Sequence, residues 1–249
     1  MNSILRLAAV FLLAVSTASA EETRSAADPL AAVAARMRQA EQPSVLFIGN
    51  SYSFFVPKAF GKFAASQGRK IHVEQVTNGG WTLAQHAENP PTLEKIRSRR
   101  WDVVVIQEQS RIPSYPASRR DPLMFPPLRK LVAEVRKQGA LPVLYQTWGH
   151  RGGNASLKGD TTVAMTRRLR EGYRAAAANA GNLAIVPVGD VWETEVAAGN
   201  ADKLYQKDNS HPADYGNALT ARVFYQAMFP GGEEARNVPQ RGSSIRRPR

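Results

Sequence analysis

Ser44-Val45-Leu46-Phe47-Ile48-Gly49-Asn50-Ser51-Tyr52-Ser53 decides how this chain is read. Val45 to Ile48 is an apolar run, bounded by Pro43 on one side and Gly49-Asn50 on the other, and it predicts a short strand. A run that is apolar at every position is buried on both faces, as in the centre of a parallel sheet. The turn that follows delivers Ser51 just past the strand's carboxyl end, the edge where open α/β sheets bind ligands. Gly49 permits a tight backbone there, and Asn50 tolerates unusual dihedral angles. Downstream, Pro57, Phe60, Phe63 and Ala64 predict a helix that ends at Gly68. Ser51 then reads in two ways, as a presented hydroxyl or as a cap for that helix.

Working outward, the same alternation recurs. Strands are predicted over residues 71–76, 101–106, 141–147 and 183–188, and Trp101-Asp102-Val103-Val104-Val105-Ile106 is the clearest of them. Asp28-Pro29 reads as a cap followed by proline at the first helical position, opening a helix to about Gln42. Further helices are expected after Leu83, over 93–100, over 128–138 with Gly139 as its stop, over 161–179, over 189–198, and from Pro212 onward. Residues 111–127, rich in Pro, Ser and Arg, read as a surface loop, and the glycine-rich stretch 151–160 as a mobile one. Five strands alternate with helices, and every connection is long enough for a crossover. The expectation is an α/β fold, a doubly wound, flavodoxin-like, parallel five-stranded sheet with helices on both faces.

At 249 residues with 43% apolar content, one such domain has material for a full core. The expected division is a signal peptide over 1–20, a leader and N-terminal helix over 21–42, the α/β domain over 43–230, and a disordered basic tail over 231–249. Arg6, the apolar run from Leu7 to Val15 and Ala18-Ser19-Ala20 form the three zones of a secretory signal, with cleavage after Ala20. The expected location is periplasmic or extracellular. The apolar zone is too short to cross a bilayer comfortably, so no integral span is expected after signal removal. The chain has no cysteine, which excludes disulfides, thiolate metal sites and a cysteine nucleophile. The net charge of +12 owes part of its excess to Arg236, Arg241, Arg246, Arg247 and Arg249. No aromatic-rich basic motif accompanies it, so nucleic acid is not an expected partner.

Parallel strands all point one way, so the loops at their carboxyl ends converge on one crevice. Four polar pieces belong to those loops: Ser51, Gly79-Gly80, Gln107-Glu108-Gln109-Ser110, and Asp208 with His211 three residues later. Each has a plainer reading. His211 could simply start the last helix, Gly79-Gly80 could be a turn, and the glutamines could fill hydrogen bonds at a strand end. Tyr52, Trp81, Gln107 and His150 are candidates to line a substrate cleft, with core packing the alternative for Trp81 and an ordinary loop position for His150. His72 is expected to face solvent or a helix, and His86, in a polar helix, is expected at the surface. Histidines and carboxylates show no compact ligand spacing, so no metal and no cofactor is expected.

The order and spacing of these pieces resemble the SGNH hydrolases, also called the GDSL esterase and lipase family. The resemblance is carried by Ile48-Gly49-Asn50-Ser51, by Asn78-Gly79-Gly80-Trp81-Thr82, and by Asp208-Asn209-Ser210-His211-Pro212. Asn50 stands where that family has an aspartate before the serine. Gln107-Glu108-Gln109-Ser110 stands where it ends a strand with glycine-x-asparagine-aspartate. The resemblance implies a secreted serine esterase that hydrolyses an O-acyl ester, such as an acetylated glycan. Ser51 would be the nucleophile, His211 its base and Asp208 the group that orients the imidazole. The oxyanion donors would be the Ser51 and Gly80 backbone N–H groups and the amide of Gln109, with Gln107 competing for that last role. Transfer of the acyl group to a sugar, and a non-catalytic glycan-binding role, are the competing readings.

Overall fold

A computed structural model describes residues 28–231. The expected signal peptide and leader, over 1–27, and nearly all of the expected basic tail lie outside the described residues. Five strands, β1 (Ser44–Gly49), β2 (His72–Thr77), β3 (Val103–Ile106), β4 (Leu141–Tyr145) and β5 (Ala184–Val186), form one sheet in the order β2-β1-β3-β4-β5. Every pairing is parallel. The doubly wound, five-stranded sheet read from the sequence is the fold observed. In this order the connection reverses direction between β1 and β3, and the crevice at such a switch point is where open sheets bind ligands.

The sheet sorts its side chains by the two-residue period of a strand. Val45 and Phe47 point to one face with Val103, Val105 and Val143. Leu46 and Ile48 point to the other with Val104, Ile106 and Leu144. The first face is covered by α1 (Pro29–Gln39), α2 (Val56–Ser66), α7 (Val188–Ala197), α8 (Ala201–Leu204) and α9 (Asp214–Met228). The second is covered by α3 (Leu83–Glu88), α4 (Pro90–Arg97), α5 (Ala117–Lys137) and α6 (Thr162–Asn179). Helix α1 sends Val33 and Met37 into the first core, so it shares the hydrophobic centre of the sheet domain rather than preceding it as a separate leader.

The structure corrects the reading of residues 111–127 as a loop. A short 3₁₀ turn at Ile112–Ser114 leads directly into α5, which runs 21 residues with Pro122, Pro126 and Pro127 inside it. Each interior proline costs a helix about 3 kcal/mol. Here Met124, Leu128, Leu131, Val132 and Val135 repeat at helical spacing and are buried, so packing of one continuous stripe overrides the local breakers.

Candidate active site

The serine turn is built by sheet neighbours. Ser51 opens a single 3₁₀ turn (Ser51–Ser53) directly after β1, and Asn50 caps it by accepting the Tyr52 N–H at 3.1 Å. Gln107, at the end of β3, clamps this cap. Its Oε1 accepts the Asn50 N–H at 2.9 Å and the Ser53 hydroxyl at 3.0 Å, while its Nε2 donates to Asn50 Oδ1 at 3.0 Å. Gly49 is required by this closeness: a Cβ there would sit 2.4 Å from Gln107 Oε1. From the other side, His86 Nε2 donates to the Gly49 carbonyl at 2.9 Å and its Nδ1 meets the Thr92 hydroxyl at 3.1 Å. His86 is fully buried, which corrects its reading as a surface residue. Burial holds its imidazole below the usual pKa, so it serves as a neutral prop. Leu83, His86 and Ala87 form the buried stripe of α3, a spacing visible in the sequence that would have placed it correctly.

Across the crevice, the segment before α9 brings its histidine to the serine. His211 Nε2 lies 2.8 Å from Ser51 Oγ, although 160 residues separate them. Its Nδ1 is hydrogen-bonded to Asp208 Oδ2, which fixes the tautomer: Nδ1 carries the proton and Nε2 is left to accept from the serine hydroxyl. Asp208 Oδ1 also accepts the backbone N–H groups of Ser210 at 3.0 Å and His211 at 2.9 Å. Partial burial works against the charge on Asp208, but these bonds outweigh it and hold the carboxyl below its usual pKa.

The Asp208–His211 segment hangs on an aromatic stack. Tyr52, Trp148 and Trp192 lie face to face, with centroids 4.7 Å and 3.7 Å apart and planes within a few degrees of parallel. The Tyr52 hydroxyl meets Ser210 Oγ at 2.5 Å, and Trp148 Nε1 donates to the Ser210 carbonyl at 3.1 Å. The Tyr52 and His211 rings also pack in a T-shape, with centroids 5.4 Å apart.

The cleft candidates separate accordingly. Tyr52 is only 2% exposed and Gln107 1%, so neither lines a cleft. Both lie beneath the serine, and this corrects their assignment as cleft residues. Each amide N–H of Gln107 is used, one on Asn50 and one on the Glu108 carbonyl at 2.5 Å, so its amide offers nothing to a substrate. Gln109 is partly exposed. Its Oε1 accepts the Arg111 N–H at 2.8 Å. Trp81 is half-buried, edge-on to His86, and its carbonyl accepts from Asn50 Nδ2 at 3.3 Å. His150 is half-buried with Nε2 3.2 Å from Ser110 Oγ, and burial, with Arg111 adding to it, pushes its pKa down to about 4. Gly80 holds φ at +73°, which favours glycine, and a Cβ there would meet nothing within 4 Å. Neither the Ser51 nor the Gly80 N–H has an acceptor among the described residues.

A pocket of about 240 Å³ opens over Ser51 and His211 and is lined otherwise by Phe54, Phe55, Gln206 and Pro212. Phe54 and Phe55 are exposed aromatic rings one turn past the serine, and the sequence reading passed over them. It named Glu108 only within the polar cluster and gave it no role of its own; the residue is fully buried at the end of β3.

No protein-family model matches the chain, and no curated protein matches it. Solved structures do. A candidate SGNH hydrolase from Slackia heliotrinireducens is 28% identical, with a TM-score of 0.60, over 75% of this chain and 99% of that one. A DUF4886 family protein from Bacteroides uniformis is 18% identical, with a TM-score of 0.67, over 82% of this chain and 89% of its own. An acetyl-xylooligosaccharide esterase from Geobacillus is also 18% identical, with a TM-score of 0.54, over 75% of this chain and 94% of its own. The resemblance to the SGNH, or GDSL-type, hydrolases therefore extends over three quarters of the chain.

Proposed function

We propose that the protein is a serine ester hydrolase that cleaves an O-acyl ester through an acyl-serine intermediate. The observation that carries this reading is the hydrogen-bonded line from Ser51 Oγ to His211 Nε2 and from His211 Nδ1 to Asp208, at the carboxyl edge of the sheet and in the floor of a pocket. A serine hydroxyl is a weak nucleophile at neutral pH and needs such a base within reach. His211 takes the proton as Ser51 attacks the ester carbonyl and returns it to the leaving alcohol. Asp208 holds the imidazole in the productive tautomer and stabilises its charged form. The Ser51 and Gly80 N–H groups, with the Gln109 amide, receive the oxyanion; each such donor lowers the barrier by roughly 2.7–4 kcal/mol. Water then enters, His211 acts again as base, and the acyl group leaves as a carboxylic acid.

The leaving alcohol must receive its proton from His211, so it occupies the pocket that Ser51 and His211 share. Phe54 and Phe55 offer ring faces there that suit a sugar or a short apolar group. Among the described residues no helix is long and apolar enough to cross a membrane. The signal-like residues 1–20 support action outside the cytoplasm. Labelling with a serine-reactive fluorophosphonate tests the reading. Wild type is expected to label at Ser51 and to turn over p-nitrophenyl acetate, and Ser51→Ala to do neither. A folded wild type inert to the probe, to short acyl esters and to glycan acetates refutes it.

A further inference from the structure

The end of β3 carries a carboxyl that the reaction above does not use. Glu108 is fully buried, and its Oε1 accepts two backbone N–H groups, that of Leu83 at 3.0 Å and that of Gln109 at 2.6 Å. Neither N–H has another acceptor among the described residues. Its Oε2 is buried with no partner among them. Burying a carboxyl so incompletely satisfied is costly. An apolar side chain would avoid that cost but would strand two N–H groups.

The two N–H groups belong to different segments. Leu83 opens α3, three residues after Gly80 and at the end of the loop that leaves β2, and Gln109 belongs to the loop that leaves β3. Both loops carry proposed oxyanion donors. No other side chain among the described residues bridges these two backbones. Gln107, one residue earlier, performs the matching task for the serine turn through Asn50. Successive residues of one strand end thus tie down the serine turn and the glycine loop.

We propose that Glu108 is a positioning residue that sets the spacing between the Gly80 and Gln109 donors, so that the oxyanion is received without prior rearrangement. This rests on reading the site as an esterase. Without the tether, substrate still enters and Ser51 still meets His211, but the donors are out of place when charge develops on the carbonyl oxygen. The loss falls on kcat and spares KM.

The test compares wild type, Glu108→Ala and Glu108→Gln on p-nitrophenyl acetate, with hydrogen exchange read at the Leu83 and Gln109 amides. Glu108→Ala is expected to lower kcat about 30-fold or more with KM within about threefold, and to speed exchange at both amides. Glu108→Gln keeps an acceptor oxygen at the same reach and is expected to restore most of the lost kcat and to slow that exchange again. A folded Glu108→Ala with kcat near wild type overturns the role, as does a Glu108→Gln that exchanges slowly yet is no more active than Glu108→Ala. If Glu108→Ala does not fold, the glutamine variant decides alone: a kcat lowered 30-fold with both amides still protected overturns it, and a kcat within about fivefold supports it. A wild type without any ester turnover sinks the reading of the site and this role with it, whereas an active wild type matched by Glu108→Ala sinks the role only.

Discussion

The two halves of the proposed catalytic line are held by different physics. Ser51 sits in a turn whose neighbours Asn50, Tyr52 and Ser53 are buried, and it is fixed by short hydrogen bonds from the next strand and from α3. Asp208 and His211 sit in a half-exposed segment, with Asn209 at φ +60°, and are fixed by an aromatic stack and two contacts to Ser210. The serine inherits its position from the sheet. The imidazole arrives from the far end of the chain and is hung in place by these side chains, helped by backbone bonds from the Arg151 N–H to the Asn209 carbonyl and from the Gln206 N–H to the His211 carbonyl. The first arrangement tolerates little change in size, as the Cβ clash at Gly49 shows. The second depends on ring area more than on any one polar contact.

Removing the nucleophile gives the largest expected effect. Ser51→Ala should lower kcat by about 10⁴-fold or more, because members of a serine–histidine pair act as one unit. The turn is held by Asn50 and Gln107 and not by the serine hydroxyl, so thermal stability should barely move. Parallel kinetics and melting check this. A large fall in melting temperature would mean that Ser51 also caps the turn, and the contrast between the two halves would weaken.

On the other half the order reverses, with stability suffering first. Trp148 is the middle ring of the stack and is fully buried. Trp148→Ala should cost about 3–5 kcal/mol of stability, the range for deleting a large buried aromatic. In the protein that remains folded, kcat should fall with little change in KM, since His211 loses its support. Denaturant unfolding and steady-state kinetics at low temperature measure both. Full activity in a destabilised protein would show that the stack holds the core but not the histidine.

Glu108 sharpens the comparison through pH, because the serine half contains a buried acid. Burial raises its pKa from 4.5 to about 7, and the Leu83 and Gln109 N–H groups offset only part of that. The titratable group facing it is Tyr173 of α6. Between pH 4.5 and 7 the folded protein therefore binds a proton that the unfolded chain has released. Its stability falls as pH rises through that window and stays lower above it. The whole effect is on the order of 3 kcal/mol. Glu108→Gln removes it, so its stability relative to wild type should improve between pH 5 and pH 8. Melting curves of both proteins across that range decide, and a constant difference would show that the carboxyl keeps an ordinary pKa.

The fold was legible because its signal is local. Strands β1, β3, β4 and β5 are apolar runs with turn residues nearby, only the edge strand β2 mixes in Glu74 and Gln75, and the helices mostly announce their stops. Helix α5 was not, since Pro122, Pro126 and Pro127 are strong local breakers and the stripe from Met124 to Val135 prevails only through tertiary packing. The residues Ser51, Asp208 and His211 were singled out by their order along the chain and by the family resemblance, and the structure brings them together. Their supports could not be read that way. Gln107 acts on Asn50, 57 residues away, Glu108 on Leu83, 25 residues away, and Tyr52 on Ser210, 158 residues away. A hydrogen bond between distant residues leaves no periodicity to read. The glutamine assigned to a cleft was instead turned inward because the buried Asn50 cap needs both ends of an amide.

The smallest expected effect tests whether polar contact or ring area holds the histidine half. Tyr52→Phe deletes only the hydroxyl that meets Ser210 Oγ and leaves the stack on Trp148 intact. One hydrogen bond of this kind contributes about 1 kcal/mol, and Ser210 is exposed enough for water to replace the lost partner. Stability should fall by about that amount or less, and kcat by a few-fold, with KM unchanged. Because the ring still packs in a T-shape against His211, the imidazole should keep its orientation. If kcat instead falls as far as it does in Trp148→Ala, the hydroxyl is the true anchor, and both halves of the site depend on short hydrogen bonds after all.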